Sequence, residues 1–191
     1  MKNLKKKNTL FLLLGLTLFF VFNTEKLKAQ SGLEIPRHEV NFNLANTLII
    51  ASAEVGYEYF IDYDQSIGVK ILINDRRNFR HEKSNTKYKT NSFRLNYTYY
   101  FGQENPGSGI YMQPFVKYRF GDFEEDRDKS NKIKTNMDAF IVGVGVGYQW
   151  NFSNSFVMGP FANVGRNFSK EVKNRFSAFE FNAGFNIGYR F

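Results

Sequence analysis

The chain of 191 residues contains no cysteine, so no disulfide holds it, and a small disulfide-stapled scaffold is excluded. Histidine is almost absent as well: His38 and His81 are the only two, which leaves general acid–base chemistry few candidates. After Phe22 no long apolar run occurs, and that excludes a bundle of membrane-spanning helices.

What is present begins with a basic head, Met1 to Asn8, carrying Lys2, Lys5, Lys6 and Lys7. An almost unbroken apolar run follows from Leu10 to Phe22, and a polar stretch, Asn23 to Lys28, leads to Ala29. This is the three-part layout of a secretory signal, and the apolar run is shorter than the roughly 20 residues a spanning helix needs. Cleavage is expected after Ala29, which makes residues 1–29 a signal peptide and 30–191 a single domain. The formal charge of +8 changes meaning once the signal is set aside, because six Lys and one Glu lie within it and the remainder carries only +3. An exported chain of that charge does not meet the genome, so nucleic acid is not expected as a partner.

From Val40 onward apolar residues recur at every second position, the period of a strand. In the last segment Phe179, Phe181, Ala183, Phe185, Ile187, Tyr189 and Phe191 share one face, against Glu180, Asn182, Gly184, Asn186, Gly188 and Arg190 on the other. The same split runs through Phe140 to Trp150, where Ile141 alone breaks the alternation. Such runs predict eight strands, near 39–46, 52–61, 66–74, 88–102, 110–120, 137–152, 156–168 and 175–191. Short connections (Asp62 to Gln65, Gln103 to Gly109, Ser153 to Ser155) alternate with longer, charged ones (Asp75 to Lys87, Gly121 to Asn136, Ser169 to Asn174). Turns on one side and loops on the other is the layout of a barrel that crosses a membrane. The first hairpin fits least well, since Thr47 to Ala51 is too apolar for an exposed loop and is read as an extension of a strand.

The polar face carries Glu54, Glu58, Lys70, Arg94, Lys117, Arg119 and Glu180, with Arg190 near one rim, interspersed with glycine. That composition suits a crowded polar interior with the greasy face turned to lipid. In so narrow a space unpaired charges are costly, so these side chains are expected to pair across it and block it. Tyr57, Tyr59, Tyr97, Tyr99, Tyr148 and Trp150, with Phe101, Phe152, Tyr189 and Phe191, fall near the C-terminal ends of alternate strands. They are expected to form one aromatic belt at the periplasmic headgroup level.

On this pattern the chain resembles the small eight-stranded outer-membrane barrels, the OmpA-transmembrane and OmpX-like group, as found in the outer membrane protein β-barrel families of Bacteroidota. The resemblance covers the whole of 30–191 and includes the last strand. Its Phe181, Phe185, Ile187, Tyr189 and terminal Phe191 resemble the signature read by the barrel-assembly machinery. It implies an all-β fold, an eight-stranded antiparallel up-and-down transmembrane β-barrel preceded by a cleaved signal peptide. It also implies a monomer in the bacterial outer membrane, with lipid, lipopolysaccharide and the assembly machinery as partners. Members serve as anchors, adhesins, resistance factors, narrow channels and a few lipid-modifying enzymes, so fold transfers better than function.

No catalytic, metal-binding or cofactor-binding set is expected. His81 lies beside Glu82 and Ser84 in a loop rich in arginine, whereas the hydrolases of such barrels hold their sets on the barrel wall. Asp126, Asp128 and Ser130 have the spacing of the first ligands of a calcium loop, but Asn131 and Met137 occupy the positions of its glycine and its glutamate. Gly143, Gly145 and Gly147 alternate on one strand face and precede no helix, so they are no phosphate loop. The loops Asp75 to Tyr88 and Ser169 to Arg175 are cationic and suit lipopolysaccharide phosphates, while the acidic third loop fits plain solubility. The function that follows is a non-enzymatic outer-membrane barrel with a plugged lumen, serving envelope stability or surface presentation of its loops. A narrow channel for small solutes ranks second and a lipid-A-modifying hydrolase third. A soluble lipocalin-like carrier competes at the level of fold.

Overall fold

A computed structural model describes residues 36–76, 78, 86–102, 105–128, 131–152 and 155–191. The expected signal peptide, 1–29, lies outside the described residues. Among the described residues nine strands and two short helices follow one another: β1 (His38–Asn43), α1 (Leu44–Ile50), β2 (Ala53–Asp62), β3 (Gln65–Ile73), β4 (Thr86–Tyr100), β5 (Gly109–Asp128), β6 (Asn131–Asn136), β7 (Ala139–Asn151), β8 (Phe156–Asn167), α2 (Lys170–Arg175) and β9 (Phe179–Arg190). All strands except β6 pair antiparallel in the cyclic order β1-β2-β3-β4-β5-β7-β8-β9, and the β1–β9 ladder closes the ring. The result is a closed eight-stranded antiparallel barrel. Its lower end is taken as the one where β1 begins and β9 ends.

Side-chain alternation decides what faces where. Along β4 the inward Ser92, Arg94, Asn96 and Thr98 are buried, and the outward Phe93, Leu95 and Tyr97 are exposed. The same inversion holds around the ring: exposed outward positions include Val55, Val69, Val116, Val144 and Phe181, while most buried charge points inward. A water-soluble barrel would show the opposite partition.

Four departures from the sequence reading have local causes. The first strand does not reach Asn46 but stops at Asn43, whose side chain accepts from the Asn46 backbone N–H at 3.1 Å and caps α1. The apolar stretch Thr47 to Ala51 therefore extends a helix and no strand, ended by Ala51 in the left-handed region at φ 49°. Second, Gly121 to Asn136 is no loop. β5 runs on to Asp128 and returns as β6, with Asp122 opposite Asn136, and the start of β4 pairs alongside. Only Phe123 and Ile133 are apolar among its described residues, too few to show a hydrophobic period. Third, the strand expected over 137–152 starts at Ala139, because Asp138 leaves the ladder to accept from the Gly121 N–H at 3.0 Å. Fourth, Ser169 caps α2 within the expected loop, and the last strand starts at Phe179 rather than at 175.

The inward Ile141 that broke the alternation belongs to an apolar cap at the upper end. It packs with Tyr88, Phe115, Phe123, Met137, Ala139 and Val172. Val172, fully buried, is the residue by which α2 is held down.

Candidate functional site

Among the described residues the interior holds five buried carboxylates, Glu39, Glu54, Glu58, Asp75 and Glu180, and five buried cations, Lys70, Arg94, Lys117, Arg119 and Arg190. Every charged residue expected on the polar face is among them, and the formal charges balance. Gly56, Gly68 and Gly184 leave the room: a Cβ at Gly56 would stand 3.0 Å from the Lys70 stem, one at Gly68 2.9 Å from Glu58, and one at Gly184 2.5 Å from Asn43. Gly143 and Gly147 make way for the rings of Phe115 and Tyr111. The space is thus given to Asn, Glu and aromatic side chains as well as to the long cations.

The groups form three tiers. At the top, Asp75 and Glu180 bracket Lys117 and Arg119: Lys117 Nζ lies 3.2 Å from Asp75 and 2.5 Å from Glu180, and Arg119 lies 2.9 Å from each. Asp75 reaches inward because the chain past Ile73 folds back on β4. Its N–H donates to Thr90 O at 2.8 Å, and the Ser92 hydroxyl donates to its carboxylate.

In the middle tier Glu54 pairs with Lys70 at 3.6 Å and accepts from Asn43 at 3.0 Å. Glu58 meets no cation within ion-pair distance among the described residues. It accepts instead from Ser66 at 2.7 Å, Gln113 at 3.4 Å and Thr98 at 3.5 Å. Arg94 donates to Gln113 Oε1 at 2.5 Å and lies 3.9 Å over the Phe115 ring. The expectation that every charge pairs ion to ion is thereby corrected: Gln113 stands between Arg94 and Glu58 and joins them through an amide.

At the bottom Arg190 pairs with Glu39 at 2.8 Å across the closing ladder. It also donates to the carbonyls of Pro106 at 2.6 Å and Gly107 at 2.8 Å. Gln149 donates to Glu39 at 3.0 Å and to Gly107 O at 3.2 Å, and Asn151 donates to Pro106 O at 3.1 Å. The β4–β5 turn is thus drawn across the lower mouth, beneath the rings of Phe60, Tyr100, Tyr111 and Phe161. Gly107 suits the turn, since it adopts φ 56° and a Cβ there would meet Phe60 and Arg190. Between the upper and middle tiers a cavity lined by Arg94, Phe115, Lys117, Asn163 and Glu180 has about 10 Å³, room for about one water molecule.

Glu39 and Asp75 were missed in the sequence. Glu39 had a signal, its alternation with Asn41 and Asn43 against Val40 and Phe42. Asp75 had none, because it follows the left-handed Asn74 at φ 56°, where the strand period has already ended. His38 heads β1 and does not precede it. It shares a 2.6 Å hydrogen bond with the Tyr57 hydroxyl and stacks on Phe191 with ring centroids 5.5 Å apart. His81, Glu82 and Ser84 lie outside the described residues.

Outside the barrel, Tyr57, Tyr59, Tyr97, Tyr99, Tyr148, Trp150 and Tyr189 point outward at the lower end, as the pairings His38–Tyr59, Gln65–Tyr99, Ile110–Tyr148 and Phe156–Tyr189 require. Phe185 and Ile187 occupy outward positions just above Tyr189. A second set, Phe93, Tyr118, Phe120, Phe140, Phe168, Phe179 and Phe181, is exposed toward the upper end. Beyond it the projecting hairpin and the start of β4 carry surface pairs, Lys89–Glu124 and Lys134–Asp122, both at 2.9 Å. The Asp122 carboxylate raises the Lys134 ammonium above its ordinary pKa.

These features define a class: a closed eight-stranded barrel whose interior is filled by balanced charge and whose outside is apolar. No family model matches the chain, and no curated protein matches it. Among solved structures it is similar to the N-terminal β-barrel domain of Pseudomonas aeruginosa OprF, at 16% identity and a TM-score of 0.48 over 81% of this chain and 95% of that one. It is also similar to Neisserial surface protein A, at 10% identity and a TM-score of 0.47 over 81% and 93%. A third similarity is to Ail, the attachment invasion locus protein of Yersinia pestis, at 11% identity and a TM-score of 0.42 over 81% and 93%. The architecture rests on the chain's own strand ladders and not on these similarities.

Proposed function

We propose that this chain is an integral outer-membrane β-barrel with a plugged lumen, non-enzymatic, serving envelope stability or presenting its upper loops at the cell surface. The observation that carries the reading is the inverted partition of side chains. Among the described residues, outward strand positions between the lower tyrosines and the level of Lys89 and Arg166 bear no charge, while the interior is charged. From Ile110 to Phe120 the outward face of β5 advances about 34 Å at about 3.4 Å per residue. With the 35–45° tilt usual for such strands this is about 25 Å along the barrel axis, the height of a lipid-facing band. Aromatic sets at both ends of that band suit the two headgroup levels. Among the described residues no helix is long and apolar enough to cross a membrane, so a crossing is made by strands.

The finer parts of the reading rest on the sequence. Residues 1–29 direct export, Phe185, Ile187, Tyr189 and Phe191 present the assembly signal, and the barrel is a monomer of the Bacteroidota outer-membrane type. Cationic upper loops, including Lys170 and Lys173 on α2, offer donors to lipopolysaccharide phosphates. The test is fractionation of expressing cells followed by gel migration before and after boiling. The chain is expected in outer membranes, running faster unboiled, because a closed barrel has no edge to fray in detergent. Recovery from the soluble periplasm would reject the reading in favour of a soluble carrier.

A further inference from the structure

Around most of the barrel each strand is paired on both edges, but the wall beside the upper half of β9 is not built that way. β1 pairs with β9 from Glu39–Arg190 to Asn43–Asn186 and stops, whereas β8 follows β9 from Tyr189 up to Phe179. Above Asn186, among the described residues, no strand lies along the other edge of β9. What stands there is α1. Asn43 packs against Gly184, and Asn46 Nδ2 donates to Asn182 Oδ1 at 3.2 Å. Above them the Asn78 side chain accepts from the Phe181 N–H at 2.7 Å, a side chain in the place of a ladder partner.

The helix is therefore level with Asn182 to Gly184, below the top of β9. Its residues divide by side: Asn46 and Ile50 are buried, while Leu44 is 37%, Leu48 75% and Ile49 60% exposed. Among the described residues Leu48 is the most exposed large apolar side chain. Position and pattern have one physical reason. A sheet edge cannot face hydrocarbon, because its N–H and C=O groups would find neither water nor partner there. A helix bonds the middle of its backbone internally, and here Asn43 caps the first turn while the Ala51 N–H closes on Asn46 O, so it can cover such a wall where a strand is missing.

We propose that α1 is a helical piece of the lipid-facing wall, with Leu44, Leu48 and Ile49 seated among the acyl chains of the outer leaflet. The proposal rests on the membrane reading above. The occupant follows from continuity, since Val40 and Phe42 on β1 lead directly into Leu44, and the outward residues of β9 that flank the helix are Phe181 and Phe185. At this place the wall is the seven residues of α1, about two helical turns, and three asparagine contacts, not a ladder.

The test uses Trp150, the chain's single tryptophan. In a Trp150→Phe background, single reporters Leu48→Trp, Ile49→Trp and, mid-band, Val144→Trp are refolded into phosphatidylcholine vesicles with or without acyl-chain bromine. The helix reporters are expected to be blue-shifted and to lose emission to the brominated lipid to an extent comparable with Val144→Trp. Quenching at Val144→Trp but not at either helix reporter would overturn the proposal and leave the membrane reading standing. Helix quenching that disappears as protein-to-lipid ratio rises would assign the face to a second copy and overturn it as well. No quenching at any of the three would reject the membrane reading itself, and this inference with it.

Discussion

Glu180 shows how much a single lumen residue does. Its carboxylate holds Lys117 at 2.5 Å and Arg119 at 2.9 Å, and all three side chains are buried. Glu180→Gln keeps the volume but leaves two cations sharing Asp75 alone. Removing one partner of a buried pair strands the other, so a loss of about 3 kcal/mol is expected in guanidinium unfolding of the micelle-refolded barrel, followed by Trp150 fluorescence. Glu124→Gln, which removes a half-exposed carboxylate from its surface pair with Lys89, should cost less than about 1 kcal/mol. Equal losses would mean that the lumen charges are solvated. Glu58→Gln should fall below Glu180→Gln, since Glu58 is held by Ser66, Thr98 and Gln113 and meets Arg94 only through the Gln113 amide. The period-two alternation told inside from outside for Glu58, Lys117, Arg119 and Glu180, but not for Asp75, which lies past the end of its strand. It could not tell which inward group meets which, because Arg190 finds Glu39 across the closing ladder and Lys117 finds Asp75 across 42 positions.

At the scale of elements, the parts that the sequence hid are those whose two faces differ little in polarity. The extension of β5 and all of β6 are mostly polar, with only Phe123 and Ile133 apolar, and pair Asp122 with Asn136 and Glu124 with Lys134. Their stability comes from backbone ladders and cross-strand pairs, each worth a few tenths of a kcal/mol to about 1 kcal/mol. Joining Glu124 to Lys134 through an Asn-Gly turn should therefore leave heat-modifiable migration intact and the unfolding midpoint nearly unchanged, since Phe123 and Met137, which pack in the upper cap, are kept. Loss of the folded band would mean that the hairpin is part of the barrel's fold rather than a projection from it. The short helices hid for a related reason: seven and six residues are too few to show a helical period, and only their caps, Asn43 and Ser169, mark them.

For the molecule as a whole, closure governs function. Eight strands enclose a space that side chains can just fill. Here ten buried ionic groups, a turn drawn across the lower mouth and an apolar cap above occupy it. Planar-bilayer recordings of the refolded protein are expected to show no large, steady conductance. A stable open level in the unmodified chain would overturn the plug and favour a solute channel. The sequence by itself determined the strand period, the eight barrel strands, the greasy outside and the charged inside, because these are local alternations that every strand repeats. Tertiary structure alone decided the pairing inside the lumen, the helix that stands in for the top of β1 and the latch of Arg190 on the β4–β5 turn. Each of those depends on which distant strands the closing ladder brings together, and no local pattern of residues records that distance.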